Sequence, residues 1–354
     1  VQEAYKMVQE LYEKRPGFHC PEGIKKQAQS GKPFEFRYVD KVIKNNIAYI
    51  TINRPEAMNA LNPIVVEQLE KAFDDAEKDP HVKGIAIQGA GKAFVAGADI
   101  KHFIDCIKND RIDENVAFTR KTHPLFRRLE TSPKWTIALL DGLSLGGGSE
   151  LALACQAIVA TEQGSIAFPE SGLGIYPGLG GMLRMSRHVG KELAKYFTFT
   201  GTKLTARAGL ELGIITKLVE MEHIETTIES LVSSDKFDKY APRDIPPRYN
   251  EYKTAFSDQN VKRLLNGDLV QDISNELAVQ LSKIISQKGI IALNVMNEII
   301  DKQSNMSIDE GIELELEKLT DIFKTEDALN GLLAAVSGTR PTFKTVVEKR
   351  SANI

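Results

Sequence analysis

The 354-residue chain is poor in several features that would assign it to a class at once. Its three cysteines, Cys20, Cys106 and Cys155, are odd in number and widely spaced, so a disulfide framework is excluded and free thiols in a reducing, cytoplasmic setting are expected. No apolar run reaches the roughly 18 residues a membrane-spanning helix needs. Neither sign of charge is in surplus: 45 Lys and Arg against 48 Asp and Glu leave a net charge of −3. That balance argues against nucleic acid as a partner, which calls for a clustered basic surplus. The six histidines show no HxxxH or HExxH spacing, so no metal is expected. Neither GxxxxGK[ST] nor a helix-opening GxGxxG after the first strand occurs, which weakens a nucleotide-binding reading. An initiating Met is also missing. Val1, Ala4, Tyr5, Val8, Leu11 and Tyr12 recur at steps of three and four, predicting an amphipathic helix over 1–15. A chain that opens in mid-pattern reads as a piece of a longer polypeptide.

What is present is an ordinary globular composition, 42% hydrophobic and 26% charged, which excludes disorder for the bulk of the chain. Length alone suggests about two domains, although α/β folds run to about 250 residues as one. Apolar residues on both sides of Asn45-Asn46 predict a hairpin over 42–52. Asn62-Pro63 predicts the start of a helix running to about 79. Short apolar strands are expected at 84–87, 135–140, 157–160 and 165–168, with helices near 98–109, 113–130 and 146–155. This alternation argues for a mainly parallel α/β core. After about residue 220 the strand signals stop, and helices are expected near 221–233, 259–266, 272–287, 289–302, 307–323 and 326–336.

Glycine marks where chemistry could sit. Gly142 and Gly146-Gly147-Gly148 follow a strand and precede a helix, while Gly172, Gly174, Gly178, Gly180 and Gly181 form a second cluster. Bare amides at a helix start favour an anion, and Glu150 would lie in the first turn of that helix, beside whatever they bind. The bland alternative is a glutamate that complements the helix dipole, worth about 0.3–1 kcal/mol. Glu170, just after a short strand, reads on its own as an ordinary loop carboxylate rather than a catalytic one. A competing reading takes Gly142-Leu143-Ser144-Leu145-Gly146 as a G-x-S-x-G nucleophile elbow, with Ser144 as the nucleophile of a serine hydrolase.

Four stretches, in order, resemble the crotonase (enoyl-CoA hydratase/isomerase) superfamily. Ile52-Asn-Arg54-Pro55-Glu-Ala-Met-Asn59-Ala60-Leu61 is similar to N-R-P-x-x-x-N-A-L, and Phe94-Val-Ala96-Gly97-Ala98-Asp99-Ile100 to F-x-A-G-A-D-[LI]. Asp141-Gly142-Leu-Ser-Leu-Gly146-Gly147-Gly148-Ser-Glu150-Leu151-Ala152 is similar to N-G-x-x-x-G-G-G-x-E-L-A, with Asp141 in place of Asn. Pro169-Glu170-Ser-Gly-Leu-Gly174-Ile-Tyr-Pro177-Gly178-Leu-Gly180-Gly181 is similar to P-E-x-x-x-G-x-x-P-G-x-G-G.

The resemblance implies an α/β fold: a crotonase-like (ββα) superhelix core over 37–220 and a helical C-terminal region over 221–354, including an insertion at about 221–288. It implies an enzyme acting on acyl-CoA thioesters, with coenzyme A as part of the substrate and no separate cofactor. The hydration of trans-2-enoyl-CoA in fatty-acid β-oxidation is the leading reaction, with Glu150 and Glu170 catalytic. The amides of Ala98 and Gly147 would form the oxyanion hole. Ala96, Asn59, Ala60, Leu61, Lys101 and Gly178 would contact substrate or coenzyme A. A homotrimer or dimer of trimers is implied. Residues 1–36 resemble the tail of a 3-hydroxyacyl-CoA dehydrogenase fused ahead of a hydratase. Double-bond isomerisation and thioester hydrolysis on the same fold remain alternatives.

Overall fold

The computed structural model describes residues 37–344. The chain divides into two units, Val1–Tyr38 and Val39–Ile354, and the second is described below. The helix expected over 1–15 and the dehydrogenase-like segment 1–36 lie outside the described residues.

The hairpin forms where Asn45-Asn46 predicts it. Strand β1 (Val39–Lys44) pairs antiparallel with β2 (Ile47–Ile52), and Asn45 and Asn46 both take positive φ, 51° and 62°. Asparagine tolerates that region, and the resulting two-residue turn matches the twist of the strands. Helix α1 (Pro63–Lys78) starts because the Asn62 side chain accepts from the Val65 N–H at 2.8 Å and Pro63 needs no hydrogen bond there.

From β3 (Gly84–Gly89) onward the chain alternates between two sheets. β3, β5 (Trp135–Leu140) and β7 (Ala157–Ala160) lie in a six-stranded sheet of order β1-β2-β3-β5-β7-β10, where β10 is Lys217–Leu218. β4 (Ala93–Ala96), β6 (Leu143–Leu145) and β8 (Ser165–Ala167) lie in a second sheet, closed by the antiparallel β9 (Leu204–Thr205). Each turn therefore lays one strand in each sheet. Helices α2 (Ile100–Lys108) and α3 (Ile112–Thr131) follow β4, and α4 (Gly147–Ala154) follows β6. After β8 come α5 (Gly181–Val189), α6 (Lys191–Thr200) and α7 (Ala206–Glu211). Apart from the pairs β1–β2 and β8–β9 the strands run parallel. The stretch Leu143–Leu145, expected as a turn between strand and helix, is itself a strand. Its neighbours Ala93–Ala96 and Ser165–Ala167 extract it from the loop by pairing on both sides.

The rest is helical: α8 (Ile224–Val232), α9 (Asn250–Ala255), α10 (Asp258–Leu265), α11 (Asn275–Ile285), α12 (Ile290–Gln303), α13 (Ile308–Phe323) and α14 (Glu326–Ser337). Among the described residues no helix is long and apolar enough to cross a membrane. α8 buries Ile224, Ile228 and Leu231 against Trp135, Ile137, Leu139 and Val159 of the first sheet. Each such side chain contributes about 1.5–3 kcal/mol when fully buried. Cys106 and Cys155 are buried free thiols, as expected.

Candidate active site

Two backbone amides meet at the junction of the sheets. Ala98 is drawn in by a bridge to Leu61: the Leu61 N–H donates to the Gly97 carbonyl (2.9 Å) and the Asp99 N–H to the Leu61 carbonyl (2.8 Å). Asp99 is tied in turn to the Arg54 guanidinium at 2.8 Å. Gly147 opens α4 after a turn at Gly146, whose φ of 47° favours glycine. α4 then backs closely onto β4. A Cβ added at Gly148 would stand 2.0 Å from the Val95 carbonyl oxygen, so only glycine allows this approach. The result brings Gly147 and Ala98 together: a Cβ on Gly147 would lie 3.6 Å from the Ala98 nitrogen.

Both residues face a cavity of about 270 Å³, walled on its apolar side by residues such as Ile100, Phe103, Phe118, Leu319, Phe323 and Leu332. Phe103 packs edge-on against Phe323, with ring centres 5.2 Å apart. The walls thus come from α2, α3, α13 and α14, so the C-terminal helices complete the cavity that the two sheets begin.

Glu150 and Glu170 line the same cavity and are buried, 2% and 7% exposed. They differ in what holds them. Glu150, in the first turn of α4, accepts through Oε1 from the Leu179 N–H (2.7 Å) and the Gly181 N–H (2.9 Å). Burial pushes its carboxyl up to about 7, while those two amides and the Arg184 charge oppose the rise. Glu170 opens a short 3-10 turn, Glu170–Leu173, and its Oε2 has no hydrogen-bond partner among the described residues. Burial, and then repulsion from Glu150, drive its carboxyl well above the ordinary range, against only its own N–H. Burial thus raises both carboxyls, and Glu150 has more hydrogen bonds and charge opposing the rise than Glu170 does.

Of the other residues singled out in the sequence, Ala96 and Gly178 line the cavity; Asn59, Ala60, Leu61 and Lys101 are not among its walls. Asn59 is fully buried with φ 60°. Its Nδ2 donates to the carbonyls of Ala90, Ala93 and Phe94, and its Oδ1 accepts from the Arg54 N–H. The side chain is thus spent on holding the β2 exit against β4, not on a ligand path. Ala60 and Leu61 are buried beneath the site, and Lys101 is exposed on α2. The nucleophile elbow fails on its geometry. Ser144 is fully buried in the middle of β6, its Oγ has no partner among the described residues, and it does not line the cavity. A serine hydrolase needs a base at hydrogen-bond distance, and none is bonded there.

Sequence reading missed a buried polar layer behind Glu150. Arg184 on α5 is fully buried; it donates to the Leu179 carbonyl at 3.0 Å and pairs with Glu130 at 3.2 Å. His123 on α3 bonds the Gly178 carbonyl through Nε2 (2.9 Å), and burial lowers it to about 4, so it stays neutral. Glu315 on α13 is fully buried and accepts from the Gly180 N–H at 2.8 Å. The signal for Glu315 was available: it shares a helix face with the buried Ile312, Leu319 and Ile322, an improbable place for a solvated charge.

Interleaved sheets wound as a ββα superhelix, with paired amides and two buried carboxylates at an apolar cavity, define a crotonase-fold enzyme. The chain belongs to the enoyl-CoA hydratase/isomerase family, whose model matches residues 47–345. It is 29% identical over 331 residues to the mitochondrial enoyl-CoA hydratase of Pongo abelii, spanning 93% of this chain and 94% of that one. It is 37% identical over 191 residues to the short-chain-enoyl-CoA hydratase of Clostridium acetobutylicum, spanning 54% and 72%. The crystal structure of an enoyl-CoA hydratase from Rhodobacter sphaeroides superposes with a TM-score of 0.75 at 23% identity, over 87% of this chain and 93% of that one, a likeness of fold.

Proposed function

We propose that the protein hydrates trans-2-enoyl-CoA thioesters to 3-hydroxyacyl-CoA. The observation that carries this reading is the pair of buried carboxylates lining one cavity with Ala98 and Gly147, Glu150 bonded to two amides and Glu170 raised further by burial and by Glu150. The thioester carbonyl lies on the two amides. Glu150, ionised, takes a proton from a water as its oxygen bonds to C3, and the C2–C3 electron pair moves toward the carbonyl as an enolate. Glu170 gives its proton to C2. One water is added, and the proton gained by Glu150 balances the one Glu170 lost. Fixed donors suit the step because the enolate charge develops on the oxygen they face; losing one such donor typically costs about 10²–10³ in rate. The cavity beyond, with Ile100, Phe103, Phe118 and Phe323, takes the acyl chain.

Coenzyme A leaves past Ala96 and Gly178, with the exposed Lys101 available to its phosphates. Assembly as a homotrimer or dimer of trimers and a place in fatty-acid β-oxidation belong to the same reading, as does a preceding 3-hydroxyacyl-CoA dehydrogenase segment that would oxidise the product's hydroxyl. Residues 1–36 support that last point only through their resemblance. Isomerisation or thioester hydrolysis would need one carboxylate or a differently placed water; the presence of both acids at one cavity favours hydration. The test is crotonyl-CoA hydration, followed by loss of enone absorbance, beside a panel of saturated acyl-CoAs. Hydration without release of free coenzyme A is expected. Release of coenzyme A with the enone intact would overturn the reading.

A further inference from the structure

Three consecutive amides at the start of α5 are shared between two carboxylates from distant helices. Glu150 takes the Leu179 and Gly181 N–H groups on one oxygen, at 2.7 and 2.9 Å. Glu315 takes the Gly180 N–H between them, at 2.8 Å. Gly180 has φ 87°, so the alternation of these amides is built into a left-handed turn that other residues rarely adopt. The Glu315 side chain is fixed from its far side by Gln303 Nε2 (2.8 Å), which also donates to the Gly311 carbonyl (3.0 Å). Its main chain is fixed too, because the Tyr176 hydroxyl donates to the Glu315 carbonyl at 2.5 Å.

The geometry points to Glu315 as a positioning residue for hydration: it holds the Gly180 N–H, and through it aims the flanking amides at Glu150, fixing where that carboxylate meets the water. This rests on the hydratase reading above. Without an acceptor, the Gly180 N–H would be buried and unsatisfied. The turn would rotate to find one and take the Leu179 and Gly181 amides with it. Glu150 would then lose donors that favour its ionised form and its place at the cavity.

The ionisable groups facing Glu315 are Glu150 from α4, Arg184 from α5 and Tyr176, with Glu130 of α3 behind Arg184 and His123 of α3 behind Gly178. Other charges across the helix pairs are held at the surface: Arg120 with Glu313, Arg127 with Asp309, and Lys318 with Glu298.

The test compares Glu315→Leu, which removes the acceptor, with Glu315→Gln, which keeps an oxygen for Gly180. Crotonyl-CoA hydration is measured across pH, and thermal unfolding alongside. For Glu315→Leu, kcat is expected to fall at least tenfold with KM within twofold, and the acid limb of the kcat–pH profile to move upward by half a unit or more. Glu315→Gln is expected to recover kcat to within threefold of wild type. Equal losses in both variants that follow the unfolding temperature, or unchanged kcat in Glu315→Leu, would overturn the proposal. Should Glu315→Leu not fold, Gln303→Leu decides: it frees the carboxylate on one side and should lower kcat about threefold with the same shift of the acid limb, and an unchanged profile would refute the role. A wild-type chain inactive on crotonyl-CoA defeats the hydratase reading and this proposal together. An active wild type matched by Glu315→Leu defeats the proposal alone.

Discussion

Replacing Gly148 with alanine probes the packing that sets the proposed oxyanion hole. The added Cβ would stand 2.0 Å from the Val95 carbonyl oxygen and 2.7 Å from both its carbonyl carbon and its Cβ. Real Cβ contacts essentially never fall below 3.0 Å, so α4 and β4 must part by about 1 Å. Two of the three opposing atoms are backbone, and no flexible side chain can swing aside. The displacement falls on the site itself: Gly147 precedes the substituted residue, and β4 runs directly into Gly97-Ala98. Overpacking of this kind costs about 1–3 kcal/mol, which a core of this size should survive. A misplacement of about 1 Å at reacting groups can cost about 10²-fold in rate. The expected outcome is a folded protein with a modestly lowered melting temperature and kcat for crotonyl-CoA hydration down about 100-fold. Far-UV circular dichroism and thermal unfolding would report the fold, and loss of enone absorbance the rate. A folded Gly148→Ala protein with kcat within about threefold of wild type would refute the claim that this contact sets the two amides.

Glu150→Gln and Glu170→Gln should each lower kcat by about 10²–10⁴, as expected for loss of a positioned acid or base. The double variant should lose little more than either single one, because the pair acts as a unit; steady-state kinetics of the three proteins checks this. Ser144→Ala should leave kcat unchanged in the same assay, whereas a serine nucleophile would make it inactive. Activity should fall as pH drops through about 7, where Glu150 takes up a proton and can no longer accept one from water; a kcat–pH profile flat to pH 5 would contradict this. Burial pushes Glu315 from its ordinary 4.5 to about 8, with Glu150 adding to the rise. Between those values the folded chain binds more protons than the unfolded one, so stability falls as pH rises. Relative to wild type, Glu315→Gln should therefore gain stability from about pH 5 to pH 8 in denaturant titrations.

Elements governed by short-range rules were legible in the sequence. The Asn45-Asn46 turn, the Asn62-Pro63 helix start and the strand Trp135–Leu140 stand where they were expected, because each depends on a few adjacent residues. The strands Ala93–Ala96 and Leu143–Leu145 were not, because three or four residues carry no pattern of their own and become strands only by pairing, with each other and, for the second, with Ser165–Ala167. The residues that motifs singled out as amides and acids line one cavity, whereas Asn59, beside Ala60 and Leu61, does not. Its positive φ and its bonds to three carbonyls show that the asparagine is needed by the backbone. The burial of Glu315 was legible from its helix face, but its partner was not: the Gly180 amide is 135 residues away, a separation that no local spacing can encode.

The segment between residues 221 and 288, which carries few motif-like features, meets the helix of Glu150 from its other end. Lys239 donates to the carbonyls of Leu153 and Cys155 at 2.8 and 3.1 Å, where α4 ends. A cation there complements the helix dipole, although burial lowers this lysine to about 8. Lys239 also pairs with Glu130 at 2.9 Å. Despite burial, Glu130 is held down to about 2 by Arg184, Lys239 and Tyr240. Arg184 in turn grips the Leu179 carbonyl, whose residue gives its N–H to Glu150. α4 is thereby fixed at its start by Gly148 against Val95 and at its end by a buried ion cluster that reaches round to the amides on Glu150. Buried ion pairs add little net stability over apolar packing, yet breaking one by removing a partner costs about 3–5 kcal/mol. What the cluster supplies is geometry: through Lys239, Glu130 and Arg184 it ties the end of α4 and the loop at Lys239 to α5, the helix whose leading amides hold Glu150.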